Sequence, residues 1–135
     1  MAARYLLDSN ILIAALKGEP AALLNRLAGL TPDRLCLSAV VLAELATGAE
    51  KSRAPVKNRA ALAELTTGME TIAFDADDAL TYGRMRAALE QGGQPIGPMD
   101  MLIAAQALTR KLVVVTANLK EFQRVPGLKC ENWLK

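Results

Sequence analysis

Residues 5–16 read YLLDSNILIAAL, a run of protein-core residues with one acid in its middle. Up to Leu7 the apolar residues are few and bounded, which predicts a short buried strand over about 4–8. Beyond Ser9 the pattern turns helical over about 9–17. Asp8 therefore stands where a strand hands over to a helix. The same alternation returns along the chain. Strands are predicted at about 34–38 (RLCLS), 69–74 (METIAF), 112–116 (LVVVT) and, at the C-terminal end, 128–130. Helices are predicted at about 20–29, 39–50, 55–67, 76–91 and 99–110. Strands alternating with helices imply an α/β fold in three layers, α/β/α, with a mainly parallel sheet of four to five strands flanked by helices.

At 135 residues the chain has the length of one domain, expected over residues 1–135. Hydrophobic residues make up 52% of it and aromatics only 4%, so Ala, Leu, Val and Ile must build the core, which suits helices packed on a sheet. No apolar run reaches the roughly 18 residues needed to cross a bilayer, and the N-terminus lacks the features of a signal peptide. A soluble cytoplasmic protein with no membrane partner is expected.

The chain has no histidine. That excludes Ser/His and Cys/His triads, His-ligated metals and His-based ribonuclease chemistry together. Cys36 and Cys130 lie far apart in apolar contexts, too few for a zinc site, and are expected to be buried structural thiols. Any catalysis falls to carboxylates.

In an open α/β sheet, ligands bind beyond the carboxyl ends of the strands. Asp8 ends the first strand. Glu44 lies in SAVVLAELATG, in the helix after the second strand, with no basic residue three or four positions away. If it is buried, it needs a metal or a distant cation. Asp100 occupies the first turn of MDMLIAAQAL, reached through the loop GGQPIGP at residues 92–98, and the fourth strand runs into Thr116, Asn118 and Glu121. Taken singly, Asp8 would serve as a helix N-cap, Asp100 as a dipole partner and Glu121 as part of a solvated face. Taken together, they form a site for a hard cation, Mg²⁺ or Mn²⁺, which prefers oxygen ligands and completes its shell with water and substrate phosphate. Such an ion activates water and stabilises a leaving oxygen, while Glu44 or Glu121 accepts the proton.

The net charge of +2 is too small to announce a nucleic-acid binder. KSRAPVKNR, however, gathers Lys51, Arg53, Lys57 and Arg59 without an acid. It reads either as a solvated linker between helices or as a phosphate-contacting patch.

Four stretches in order, LLDSNILIAAL, SAVVLAELATGAEKS, IGPMDMLIAAQAL and VVVTANLKEFQRVPGLKCENW, resemble the VapC-type PIN-domain ribonuclease toxins of bacterial type II (VapBC) toxin-antitoxin systems. The resemblance runs from Arg4 to Trp133. It implies a PIN fold in which Asp8 and Asp100 are the principal magnesium ligands, joined by Glu44 and supported by Ser9, Asn10, Thr116 and Asn118. Where relatives read TNN or TND, this chain reads Thr116-Ala117-Asn118, so the fourth ligand stays open among Asn118, Glu121 and a water. The implied activity is metal-dependent endonucleolytic cleavage of RNA, with tRNA the expected target, leaving a 3′-hydroxyl and a 5′-phosphate. The implied partners are a second copy in a homodimer and a VapB-type antitoxin, which covers the acidic site and alone reaches operator DNA. Lys51, Arg53, Lys57, Arg59, Arg84 and Arg86 become candidates for RNA backbone contacts.

Two other readings compete. A haloacid-dehalogenase-like phosphatase also places an Asp after its first strand, but needs a second Asp two residues on, where this chain has Asn10. A catalytically inactive PIN-fold binding protein would not need all three of Asp8, Glu44 and Asp100. A nucleotide-binding module would need a glycine-rich phosphate loop, and neither GxGxxG nor a P-loop is present.

Overall fold

A computed structural model describes residues 4–135; the expected domain over 1–135 extends, at residues 1–3, beyond the described ones. The elements in chain order are β1 (Tyr5–Leu7), α1 (Ser9–Lys17), α2 (Ala21–Ala28), a 3-10 turn (Pro32–Arg34), β2 (Leu35–Ser38), α3 (Ala39–Glu50), α4 (Pro55–Thr66), β3 (Glu70–Ile72), α5 (Ala76–Gln91), α6 (Pro98–Arg110), β4 (Val113–Val115), α7 (Leu119–Phe122) and β5 (Lys129–Glu131). Every strand pairing is parallel and the order is β3-β2-β1-β4-β5, so the sheet has five strands.

This order puts β1 at the centre and makes the chain reverse direction beside it. From β1 the chain steps outward to β2 and β3, then crosses back to add β4 and β5 on the other side. With right-handed crossovers, steps in opposite directions place their helices on opposite faces of the sheet. Accordingly α1, α3 and α4 pack together, while α5 packs along α6.

Leu6, Leu7, Leu37, Val114 and Val115 are fully buried, as strands covered on both faces require. The tail is fastened by Trp133, which is buried and meets Tyr5 edge-to-face at 4.8 Å, with the Arg26 guanidinium 4.7 Å from its ring centre. Cys36 is buried as expected, its thiol pushed up to about 11, chiefly by burial. Cys130 departs from expectation. It is only half-buried, because β5 is an edge strand and one side of it is open.

Two elements lack a strong periodic signal in the sequence: the 3-10 turn and the four-residue α7. Isolated helices that short are not stable. α7 is held by Phe122, with Val125 just beyond it, both buried in the core. Among the described residues no helix is long and apolar enough to cross a membrane.

Candidate active site

The crevice between β1 and β4 is the point where strand order reverses, the usual place for a ligand in such a sheet. The register pairs Leu7 with Val115, so the next residues, Asp8 and Thr116, leave the sheet side by side. The Asp8 N–H continues the ladder by donating to the Val115 carbonyl at 2.9 Å.

Asp8 is 4% exposed and its carboxylate is held from three directions. The Thr116 hydroxyl donates to Oδ2 at 2.8 Å, Asn10 Nδ2 donates to the same oxygen at 3.3 Å, and the Ser9 backbone N–H donates to Oδ1 at 2.8 Å. The last of these makes Asp8 the N-cap of α1. Asn10 also accepts the Ala117 N–H on Oδ1 at 3.0 Å, and Thr116 Oγ1 accepts the Asn118 N–H at 2.9 Å. The two side chains thus lock the turn after β4 onto the start of α1.

Asp100 enters from α6. Gly92 ends α5, Gly93 takes φ +67°, and Pro98 stands in the first turn of α6 with a ring already set to helical φ. Two residues on, Asp100 is half-buried, and Asn118 Nδ2 donates to its Oδ2 at 3.3 Å and to Glu121 Oε2 at 2.9 Å. Burial, proton-sharing contact with Glu121 and the charges of Asp8 and Glu121 push the Asp100 carboxyl up to about 7, against a smaller lowering by Asn118. Glu121 is held below the usual range by its hydrogen bonds with Asp100 and Asn118. The two acids titrate as a pair.

Glu44 corrects one premise drawn from the sequence: it is exposed. The inward stripe of α3 is Val41, Leu45 and Ala49, and Glu44 falls beside it, next to Ala43, Thr47 and Gly48, which are exposed and too small to cover it. No buried charge therefore has to be explained. Its carboxyl is still raised, by partial burial and by Asp8, which places it within electrostatic reach of the acid cluster.

Among the described residues no three acidic, cysteine or histidine side chains are grouped closely enough to hold one ion between them. Mg²⁺ needs fewer: it is commonly bound by one or two carboxylates, with water and phosphate filling the rest. Asp8 and Asp100 supply hard oxygen donors, and a divalent cation would offset both the burial of the Asp100 carboxylate and the charges of Asp8 and Glu121 beside it. The donor set suits Mg²⁺ or Mn²⁺. Asn118 presents its amide nitrogen to Asp100 and Glu121, so here it joins the acids rather than standing among them as an oxygen donor.

The six candidate RNA-contacting cations divide. Arg59 pairs with Glu50 at 2.9 Å, Arg86 with Glu90 at 2.9 Å, and Arg84 donates to the Thr81 hydroxyl at 3.4 Å. Lys51, Arg53 and Lys57 are exposed at the corner between α3 and α4. Arg124, which the sequence does not single out as a site residue, donates from Nη1 to the Pro95 carbonyl at 2.9 Å.

Comparison with known proteins adds an independent line. Residues 5–128 match the family described as PIN domain. The tRNA(fMet)-specific endonuclease VapC of Salmonella typhimurium is 41% identical over 130 residues, covering 96% of this chain and 98% of that protein. Ribonuclease VapC2 of Rickettsia felis is 39% identical over 132 residues, covering 97% and 98%. Among solved structures, DNA-bound VapBC from Salmonella typhimurium superposes with a TM-score of 0.90 at 40% identity, covering 98% of this chain and 99% of that one. VapBC2 from Rickettsia felis, bound to a DNA fragment from their promoter, gives 0.87 at 38% identity, covering 96% and 98%.

Proposed function

The chain belongs to the PIN-domain family, in its VapC group of ribonucleases, and from that membership we propose that it hydrolyses RNA in the β1/β4 crevice, with tRNA as the substrate class. The observation that carries the reading is the meeting of Asp8, Asp100 and Glu121 through Thr116 and Asn118 at the strand-order reversal.

Asp8 and Asp100 would hold Mg²⁺ or Mn²⁺, with Glu44 at the margin of the same cluster. When bound, the ion makes water a better nucleophile and offsets charge on the departing oxygen. The residues of the chain do the rest. Thr116, Asn10 and the Ser9 N–H keep Asp8 from turning away from the crevice. Asn118 keeps Asp100 and Glu121 together despite their charge. Glu121 is engaged with Asn118 and Asp100, whereas Glu44 is exposed and free of that pair, so Glu44 takes the proton from the attacking water. Water oxygen bonds to phosphorus and the phosphorus–O3′ bond breaks. A 3′-hydroxyl and a 5′-phosphate result. No ribose 2′-hydroxyl and no histidine takes part. Lys51, Arg53 and Lys57, exposed at the corner between α3 and α4, would meet RNA phosphates.

The partner of this toxin is a VapB-type antitoxin, through which operator DNA is reached, and a second copy completes a homodimer. A groove of about 370 Å³ beside Glu44 supports an apolar partner segment: Ile13 and Leu16, 42% and 41% exposed, line it with Leu45 and Leu62. The test is cleavage of total tRNA by the purified protein with Mg²⁺, with EDTA, and with Asp8→Ala or Asp100→Ala. Cleavage in Mg²⁺ alone is expected; cleavage that survives both chelation and substitution overturns the mechanism.

A further inference from the structure

Asp100 and Glu121 act together but stand on different segments. Asp100 stands in the first turn of α6, which the loop 92–97 leads into, and Glu121 stands in α7. The loop and α7 are each short, the loop anchored in the core by Ile96 and α7 by Phe122. In the loop, residues 92–95 are exposed and only Ile96 is buried; the Gln94 N–H is tied back to the Leu89 carbonyl, but Pro95 has no N–H to give. α7 is one helical turn.

The two segments are joined at two points. At the acids, Asn118 Nδ2 reaches Asp100 Oδ2 at 3.3 Å. At the other end, Arg124 Nη1 donates to the Pro95 carbonyl at 2.9 Å, while the Arg124 backbone N–H closes the turn of α7 on the Glu121 carbonyl at 3.0 Å. A single tether leaves a hinge; two fix an orientation. The Arg124 link is charge-assisted, with a guanidinium as its donor.

We propose that Arg124 is a positioning residue for the acid site, fastening the loop that leads into the Asp100 end of α6 to the turn that carries Glu121. It touches neither substrate nor reacting atoms. Its effect is to keep the two carboxylates at a fixed separation, which sets how well they share a cation with Asp8. The inference rests on the ribonuclease reading of those acids.

The experiment compares wild type, Arg124→Ala, Arg124→Lys and, as an exposed neighbour, Gln123→Ala. It measures Mn²⁺ affinity by electron paramagnetic resonance, amide hydrogen exchange, and tRNA cleavage. Arg124→Ala is expected to bind Mn²⁺ about tenfold more weakly, at the low end for loss of an outer partner. Its exchange should quicken in residues 92–101 and not in β1 or β4. Arg124→Lys should recover part of both, and Gln123→Ala should match wild type. Unchanged affinity and exchange in Arg124→Ala overturns the proposal, and so does exchange that quickens throughout the chain, which marks a merely structural role. If wild type binds no Mn²⁺ and cuts no RNA while the local exchange difference persists, it is the ribonuclease reading that fails and the fastening that stands.

Discussion

Thr116 and Asp8 are 108 residues apart in the chain and share a buried hydrogen bond of 2.8 Å in which the hydroxyl donates to the carboxylate. They meet because β1 and β4 lie next to each other at the centre of the sheet in one fixed register. Thr116→Val keeps the shape and removes the donor. A carboxylate that is 4% exposed then loses its best side-chain partner, at a cost of about 1–3 kcal/mol in stability. Urea unfolding should show that loss, cleavage should fall by about ten- to a hundredfold, and Thr116→Ser should restore both. A Thr116→Val protein with wild-type activity would refute this role.

Glu44 separates stability from chemistry. It is exposed, so Glu44→Gln should change the unfolding free energy by no more than about 0.5 kcal/mol. Loss of a general base should lower kcat about a hundredfold with KM little altered. Steady-state kinetics decide the point. If Glu121→Gln gives the larger fall in kcat, the base has been assigned to the wrong acid.

Ion binding should depend on pH through Asp100. Its carboxyl is pushed up to about 7, so below that value a proton and a cation compete for the same oxygens. Mn²⁺ affinity should fall by about tenfold for each pH unit below about 7, and the acid limb of the activity profile should move to lower pH as Mg²⁺ rises. Asp100→Asn should bind the ion weakly at every pH. Titrations that coincide above and below that value would contradict the competition.

Away from the site, Asp78 is fully buried and meets Arg110 and Thr109 from α6, while its other oxygen accepts the Asp75 N–H. Burial alone would raise its carboxyl, but the hydrogen bonds from Arg110, Thr109 and the Asp75 backbone, with the Arg110 charge, hold it below the ordinary value near 3.8. A depressed pKa stabilises the folded state above the unfolded value, and that contribution is lost as pH falls through the folded one. Asp78→Asn should therefore cost about 3 kcal/mol at neutral pH, the low end for a broken buried pair because Asp75 still faces Arg110 at 3.2 Å. Its deficit should shrink below about pH 3.8, which urea unfolding at the two pH values would reveal. An equal deficit at both would assign the effect to packing.

The local alternation of strand and helix is a property of neighbouring residues, so the order of elements and the junction at Asp8 were legible in the chain itself. Asp100 was legible because Gly97, Pro98 and an acid mark a helix start. The exposure of Glu44 was not. Its apolar and small neighbours read as core, and whether small residues are covered depends on what packs over them, which no local pattern records. α7 escaped notice for a related reason, since its stability comes from Phe122 and Val125 reaching distant core residues. The sequence leaves the fourth position open among Asn118, Glu121 and a water, and the direction in which the Asn118 amide nitrogen turns, to both Asp100 and Glu121, is set by packing that no local pattern records.

The pairing of Leu7 with Val115 also limits how this protein can change. Side chains alternate between faces along a strand, so removing one residue between the centre of β1 and Asp8, or between the centre of β4 and Thr116, would leave a sheet that still pairs but whose acid and hydroxyl point apart. The number of residues from strand to acid therefore cannot drift. The acid site is inherited as a count as much as a composition.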